Sequence, residues 1–313
     1  MAEENKKIII IRIINIALLL VSLLAFQAFM HYQSLVRQAK DNATFVNRFY
    51  AQEIINKIIK TEHILKTVSA LASSSEEKDL LVLKEFLKEY VERDPDYSTI
   101  GITDKEGNVI LSTIDTQEKI NLKDRKYFQE VRETLNLSSG NFLTGRISNQ
   151  QVIVFGYPIL DRNHEFNGVA FLGIKIEAIN KIMERLYLPE NASITLFDEN
   201  GKVIARFPEP EKWFGKNMAS ENEIVKKAIT EKKVGALISR DFDQTEKVFA
   251  YRPIEYEGNQ EALFLASGFS TEVIIQPMIR ITLILSAFLF GFIIIAGTVD
   301  LLIINRRKKK KTS

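Results

Sequence analysis

The chain has 313 residues and a formal charge of +2, from 42 Lys and Arg against 40 Asp and Glu. That length accommodates two ordinary domains, and the near-neutral balance removes any charge-based case for a nucleic-acid partner. Cysteine is absent and the three histidines, His31, His63 and His164, stand apart, so disulfides, thiolate chemistry, metal clusters and a cofactor site are not expected.

In chain order, residues 8–30 read "IIIIRIINIALLLVSLLAFQAFM", apolar save Arg12, Asn15, Ser22 and Gln27. A helix crosses a bilayer with roughly 20 such residues. A cleaved leader is the competing reading, but the run exceeds the usual leader core of about 7 to 15 residues and no small-x-small site follows. A second run, assigned to a span over 279–304, carries no charge from Ile281 to Val299. Cations gather on the cytoplasmic side of spans. Lys6 and Lys7 before the first run and Arg306 to Lys311 after the second therefore place the termini, 1–7 and 305–313, in the cytoplasm. Residues 31–275 then lie outside the cell membrane. A terminal basic run also suits acidic lipid; its position beside a span favours the topological anchor. In the second span, Ala287 and Gly291 offer one small-x-x-x-small face for helix contact.

Beyond the first span, Phe45, Phe49, Ile54, Ile55, Ile58, Ile59, Leu65, Val68 and Leu71 recur at spacings that keep the chain helical to about Leu71. Ser75 reads as the N-cap of a second helix that Pro95 ends, completing a helical segment over 31–96. From Tyr97 the texture turns to short β-rich runs. "STIGITDKEGNVILST" is a strand, a turn at Gly107 and a strand. "KDRKYFQEVRETL" is a short helix. "GNFLTGRISNQQVIVFGYPILD" is a hairpin turning at "SNQQ", and "NGVAFLGIKIEAI" is a strand entering a helix.

The same order recurs. Asp104, Gly107, Val109 and Ile110 match Asp198, Gly201, Val203 and Ile204 at an offset of 94, and "VFGYPI" at Val154 answers "VFAYRPI" at Val248 with Arg252 inserted. Two matches at one offset indicate tandem copies of one α/β module, over 97–180 and 181–275. At that offset Arg125, Tyr127 and Phe128 face Ala219, Glu221 and Asn222, so the second copy lacks the cluster.

In fold class the chain is thus α+β: a long N-terminal helix and two antiparallel-sheet modules, flanked by transmembrane helices. The long helix, "DRKYF", "GYPILD" followed by "FNGVAFLGIKIEAI", and "LFDENGKVIARFPEPEKWFGK" together resemble the double Cache sensors. These are tandem PAS-like extracytoplasmic input regions of bacterial chemoreceptors, sensor histidine kinases and diguanylate cyclases. The resemblance implies a small-molecule ligand in the membrane-distal module and a helix shift across the membrane. A homodimer along residues 31–71 would make the shift transmissible, although that stripe also suits packing on the chain's own modules.

Arg125 supplies a planar donor fork for a carboxylate or phosphate, and Tyr127 and Phe128 supply apolar walls. Arg146, Phe155 and Tyr157 join them as expected ligand-binding residues, with Arg146 and Tyr157 read as strand residues facing the same pocket. The alternative is that Asp124 and Arg125 form a helix-start ion pair above core aromatics. The amino-acid-binding subclass shows Tyr, four residues, Arg, one residue, Trp-Tyr, and a later Asp for the ligand amine. Here Ile120 replaces the leading Tyr, Tyr127 and Phe128 replace Trp-Tyr, and the Asp position falls on Gly173. An organic anion is expected rather than an ordinary amino acid, since a buried amine without a counter-charge is costly.

Trp213 and Phe214 read as packing under a Pro-rich loop. No nucleophile elbow, phosphate loop or metal-spaced cluster is present, so no enzyme is expected. Eight residues after Asn305 are too few for an output domain. Either a longer polypeptide or a separate membrane or cytoplasmic partner would carry the output. A ligand-free, partner-binding or structural ectodomain is the other reading of the whole.

Overall fold

The computed structural model describes residues 2–74, 77–139, 143–185, 189–256 and 263–312. Two compact units divide it, one of residues 1–41 with 271–313 and one of residues 42–270.

The first unit holds the beginning of α1 (Ala2–Ser74) and α7 (Glu272–Thr312). Both helices are long and apolar enough to cross a membrane. Leu20, Leu23 and Leu24 face Ile284, Ala287, Phe288 and Gly291 across a groove of about 710 Å³. A Cβ on Gly291 would meet nothing within 4 Å. The small pair Ala287 and Gly291 therefore lines open space between these two helices and mediates no close approach.

In the second unit α1 continues without Pro or Gly, followed by α2 (Glu77–Arg93). Pro95 forces the exit that the sequence announces, whereas Ser75, the expected N-cap, lies outside the described residues. The first sheet contains β1 (Tyr97–Asp104), β2 (Val109–Ser112), β3 (Ser138–Ser139), β4 (Leu143–Thr144), β5 (Gln151–Leu160) and β6 (Phe166–Lys175). Its order is β2-β1-β6-β5-β3, with β4 also pairing β5. Between β2 and β3 lies α3 (Lys126–Thr134), and α4 (Ile176–Arg185) follows β6. The second sheet, β7 (Ser193–Phe197), β8 (Val203–Phe207), β9 (Gly235–Arg240), β10 (Glu246–Ile254) and β11 (Leu263–Ser270), has order β8-β7-β11-β10-β9. Here α5 (Pro210–Trp213) and α6 (Glu223–Glu231) stand between β8 and β9.

One apolar core joins α1, α2 and α4 to an inner face of each sheet, through Ile54, Ile58, Leu65, Phe155, Leu172, Leu196 and Leu265. The outer face of the first sheet is covered by α3, and that of the second by α6. The α1 stripe is therefore divided: Ile54, Ile58, Leu65 and Val68 are buried in this core, while Phe45, Phe49, Ile59 and Leu71 are exposed. Asn47 pins α1 to the second sheet by donating to the carbonyls of Ala250 and Leu265, both at 3.2 Å, and accepting from Arg252 Nε at 2.8 Å.

The duplication shows in matching turns. Asp104 Oδ1 accepts from the amides of Glu106 and Asn108, and Asp198 Oδ1 from those of Asn200 and Lys202. Gly107 and Gly201 hold φ of +88° and +80°, and at both a Cβ would stand 2.7 Å from its nearest neighbour, so the turns need glycine. Elsewhere the offset of 94 does not hold. Asn222 is the N-cap position of α6 as Arg125 is that of α3. Strand pairing sets Gly156 against Phe171 and Tyr251 against Ala266, where Phe171 pairs Gly101 and Ala266 pairs Thr195. Tyr251 thus answers Gly156 at 95, and Phe249, not Val248, answers Val154.

Candidate functional site

Helix α3 lies over β5 and β6 because its apolar residues Tyr127, Phe128 and Val131 face the sheet, where they pack against Val152, Val154, Val169 and Phe171. Gly156 lets it come close: a Cβ there would be 2.9 Å from the Tyr127 ring and about 3 Å from Val169 and Val131. At the N-terminal end of α3 a cavity of about 20 Å³ opens beside Arg125 and Tyr127. Thr99, Leu122, Val152, Val154 and Phe171 form its walls, and Gly145 to Ser148 of the β4–β5 loop close it. This volume holds a water or so.

Arg125 sits at the N-cap of α3 with extended backbone (φ −77°, ψ 134°) and makes no side-chain cap. Its half-buried guanidinium has no hydrogen bond or ion pair among the described residues. Asp124 does not pair with it. Arg146, 22 positions on, takes that carboxylate with both nitrogens: Nη1 donates to Oδ1 at 2.8 Å and Nη2 to Oδ2 at 2.7 Å, and Nη1 also donates to the Asn121 carbonyl. This bond holds the Asp124 carboxyl below its usual range and raises Arg146. Burial pushes the Tyr127 phenol well above its ordinary value, so it is neutral at any physiological pH. The cavity thus has a cation and a neutral phenol at its edge, while the Thr99 hydroxyl is already bonded to Ser112 Oγ at 3.3 Å and Thr113 Oγ1 at 3.2 Å and the Arg146–Asp124 pair ties the loop down.

Of the six expected residues, Arg125, Tyr127 and Arg146 line this cavity. Arg146 does so from the loop between β4 and β5, correcting its placement on a strand; the loop runs from Gly145 to Gln150, not over "SNQQ". Phe128 is fully buried beneath the cavity, edge-on to Phe166. Phe155 and Tyr157 project from the opposite sheet face. There Phe155 packs in the α1 core against Tyr256, and the Tyr157 ring lies 5.7 Å from Lys66 Nζ. They are corrected to core positions, since alternate β-strand residues face opposite ways and Val152, Val154 and Gly156 take the cavity side. "QVIVFGYPIL" is apolar almost throughout, so its alternation carries no signal of which set faces α3. The alternative reading, an ion pair of Asp124 with Arg125, gives way to a pair of Asp124 with Arg146.

Gly173 faces the same side, pairing with Thr99 and Val154. A Cβ there would be 2.5 Å from Ser98 Oγ and 3.6 Å from Val152, so a side chain at this position would require the Ser98 hydroxyl to turn away. Trp213 is buried as expected, packed on Phe242 with ring centroids 5.1 Å apart.

A long helix packs on two tandem PAS-like sheets, each covered on its outer face by a short helix. The chain belongs to the Cache family, its residues 31–278 matching the dCache_1 Cache domain. The same fold occurs in the extracellular domain of rpHK1S-Z16, a protein named as a histidine kinase, with TM-score 0.65 and 18% identity over 76% of this chain and 97% of that one. It occurs also in the ligand-binding domain of the Campylobacter jejuni chemoreceptor Tlp3 in complex with L-valine, with TM-score 0.59 and 15% identity over 78% and 98%. Sporulation kinase D of Bacillus subtilis is 23% identical over 126 residues, 40% of this chain and 24% of the kinase. The match thus spans about a quarter of that relative's length.

Proposed function

We propose that the chain is the input region of a transmembrane signal receptor. In this reading α1 and α7 each cross the membrane once, with both ends cytoplasmic, and residues 42–270 form the extracytoplasmic sensor. The first module, farther from the membrane, takes a small organic anion. The observation that carries the ligand class is Arg125. It is a half-buried cation without a partner among the described residues, at the mouth of the cavity and in a position where a helix ordinarily places a capping side chain. A ligand carboxylate would supply the bidentate partner, and Gly173 leaves no counter-charge for an amine.

Entry requires more than about 20 Å³, so the Gly145–Gln150 loop must lift and the Arg146–Asp124 clamp must open. Binding would then favour one of two arrangements of α3 and the sheet, which α1 and the segment leading to α7 pass on as a small displacement. The exposed Phe45 and Phe49 on α1 support a homodimer along that helix.

The test is a melting screen of the full chain in detergent against small mono- and dicarboxylates. At least one should raise the midpoint of the wild type and leave Arg125→Ala unmoved; equal shifts in both would remove Arg125 from the site. The closed cavity specifically favours a second reading, a ligand-free ectodomain working through another protein. A silent carboxylate screen together with a discrete crosslinked neighbour in native membranes supports that reading.

A further inference from the structure

The strand registers allow the cavity of the first module to be located in the second. Thr99 pairs with Gly173 as Ser193 pairs with Gly268, and Leu143 pairs with Val152 as Ser239 pairs with Lys247. The loops that follow close in the same way, Gly145 N–H donating to the Gln150 carbonyl and Asp241 N–H to that of Thr245. Thr99, Gly145, Arg146 and Val152, which line the first cavity, therefore correspond to Ser193, Asp241, Phe242 and Lys247. A polar hydroxyl is kept, but a glycine has become an acid and a valine a lysine.

Those substitutions meet one another. The Lys247 ammonium donates to Asp241 Oδ2 at 2.6 Å, and Arg206 Nη2 donates to both carboxylate oxygens at 3.0 Å. Arg206 Nη1 is held by Thr195 Oγ1 at 2.6 Å, and the guanidinium lies 4.4 Å from the Phe242 ring and 5.6 Å from that of Trp213. Asp241, Lys247 and Arg206 are 1%, 3% and 3% exposed, so the contacts are sheltered from solvent. In the first module a Cβ on Gly145 would meet Ser148 Oγ at 2.5 Å and Val152 at 3.4 Å, the latter being the counterpart of the Lys247 that the Asp241 carboxylate meets.

From this correspondence we propose that the second module contains a carboxylate-binding site, built from Arg206 and Lys247 with aromatic walls, that is permanently filled by the chain's own Asp241. The group acts as a tethered ligand where the first module leaves a cavity for an external one. Burial alone would push the Asp241 carboxyl up, yet Arg206 and Lys247 outweigh it and hold it down at about 2. The tethered group is therefore an anion throughout the physiological range. The second module is closed to external carboxylates because its site is occupied, not because the site is missing. This holds independently of whether the first module binds a ligand.

Removing the tether should create a site for a free carboxylate. In the full chain in detergent, Asp241→Ala leaves two buried cations facing a small void and is expected to lower the melting midpoint by roughly 10 °C. Formate, with its ammonium or sodium salt matched by chloride in the control, should restore most of that loss. It should do so equally in the double variant Arg125→Ala/Asp241→Ala, which places the effect in the second module. If Asp241→Ala is recovered only as aggregate in chloride, folded protein in formate is the same rescue. The proposal is overturned by formate and chloride acting alike on Asp241→Ala, by rescue that disappears with Arg125→Ala, or by aggregation in both salts. The shape-preserving Asp241→Asn, which removes the charge alone, is expected to melt below the wild type; an unchanged midpoint overturns the proposal too.

Discussion

Replacing Arg125 with asparagine is expected to make the protein more stable and deaf. The second module has an asparagine at the equivalent position. Asn222, at the N-cap of α6, accepts from the amides of Ile224 at 3.0 Å and Val225 at 3.3 Å, and its backbone (φ −126°, ψ 124°) lies in the same extended region as that of Arg125. An asparagine at 125 can therefore cap α3 without rearrangement, a gain of about 1 kcal/mol. Removing a cation from the positive end of a helix adds roughly 0.3–1 kcal/mol. The lost contact of the arginine stem with the cavity wall subtracts a few tenths. The net gain of about 1–2 kcal/mol corresponds to a rise of roughly 3–6 °C for a unit of this size. Thermal melts of wild type and Arg125→Asn by circular dichroism, with and without the carboxylate that stabilises the wild type, read both effects. A midpoint that falls or stays level would mean instead that the guanidinium already has a stabilising partner in solution.

Other outcomes follow from the same geometry. Gly156→Ala drives a methyl into the Tyr127 ring and should cost about 1–3 kcal/mol, seen as a lowered midpoint with the fold retained. Asn222→Ala removes the α6 cap and should cost about 1 kcal/mol without touching any carboxylate response. Asp124→Asn frees the Arg146 loop; the pair is largely exposed, so stability should fall by less than about 1 kcal/mol, while loop amides of 145–150 gain hydrogen exchange. Asp241, whose carboxyl is lowered to about 2 from an ordinary 3.8, contributes stability that is complete above its unfolded value and lost as pH falls through the folded one. Acid titration of the wild type should therefore show a loss between about pH 4 and pH 2 that Asp241→Asn lacks.

Much of this fold can be read from the chain because its strongest signals are local. The two turns repeat Asp, Gly and Val at one spacing, Pro95 stops α2, and apolar spacing keeps α1 helical over its whole exposed length. The candidate site was only half legible, for reasons of register. Insertions of one to three residues shift the true correspondence from 94 at the turns to 97 at the short helices, so Arg125 answers the capping Asn222, not Ala219. In "QVIVFGYPIL" both faces are apolar, and a one-residue uncertainty exchanges Phe155 and Tyr157 for Val152, Val154 and Gly156. The Arg146–Asp124 clamp joins residues far apart in sequence, so the sequence leaves open whether Asp124 pairs with Arg125. The Asp241 cluster is invisible until β9 and β10 are paired.

The proposed function rests on Arg125 as the anion-reading group of the first module. Its most direct test is a calorimetric titration of the stabilising carboxylate into the full-length wild type, Arg125→Ala and Arg125→Lys. Saturable heat is expected in the wild type, none in the alanine variant, and weakened binding with lysine, which keeps the charge but loses the fork. Undiminished binding in Arg125→Ala would contradict it.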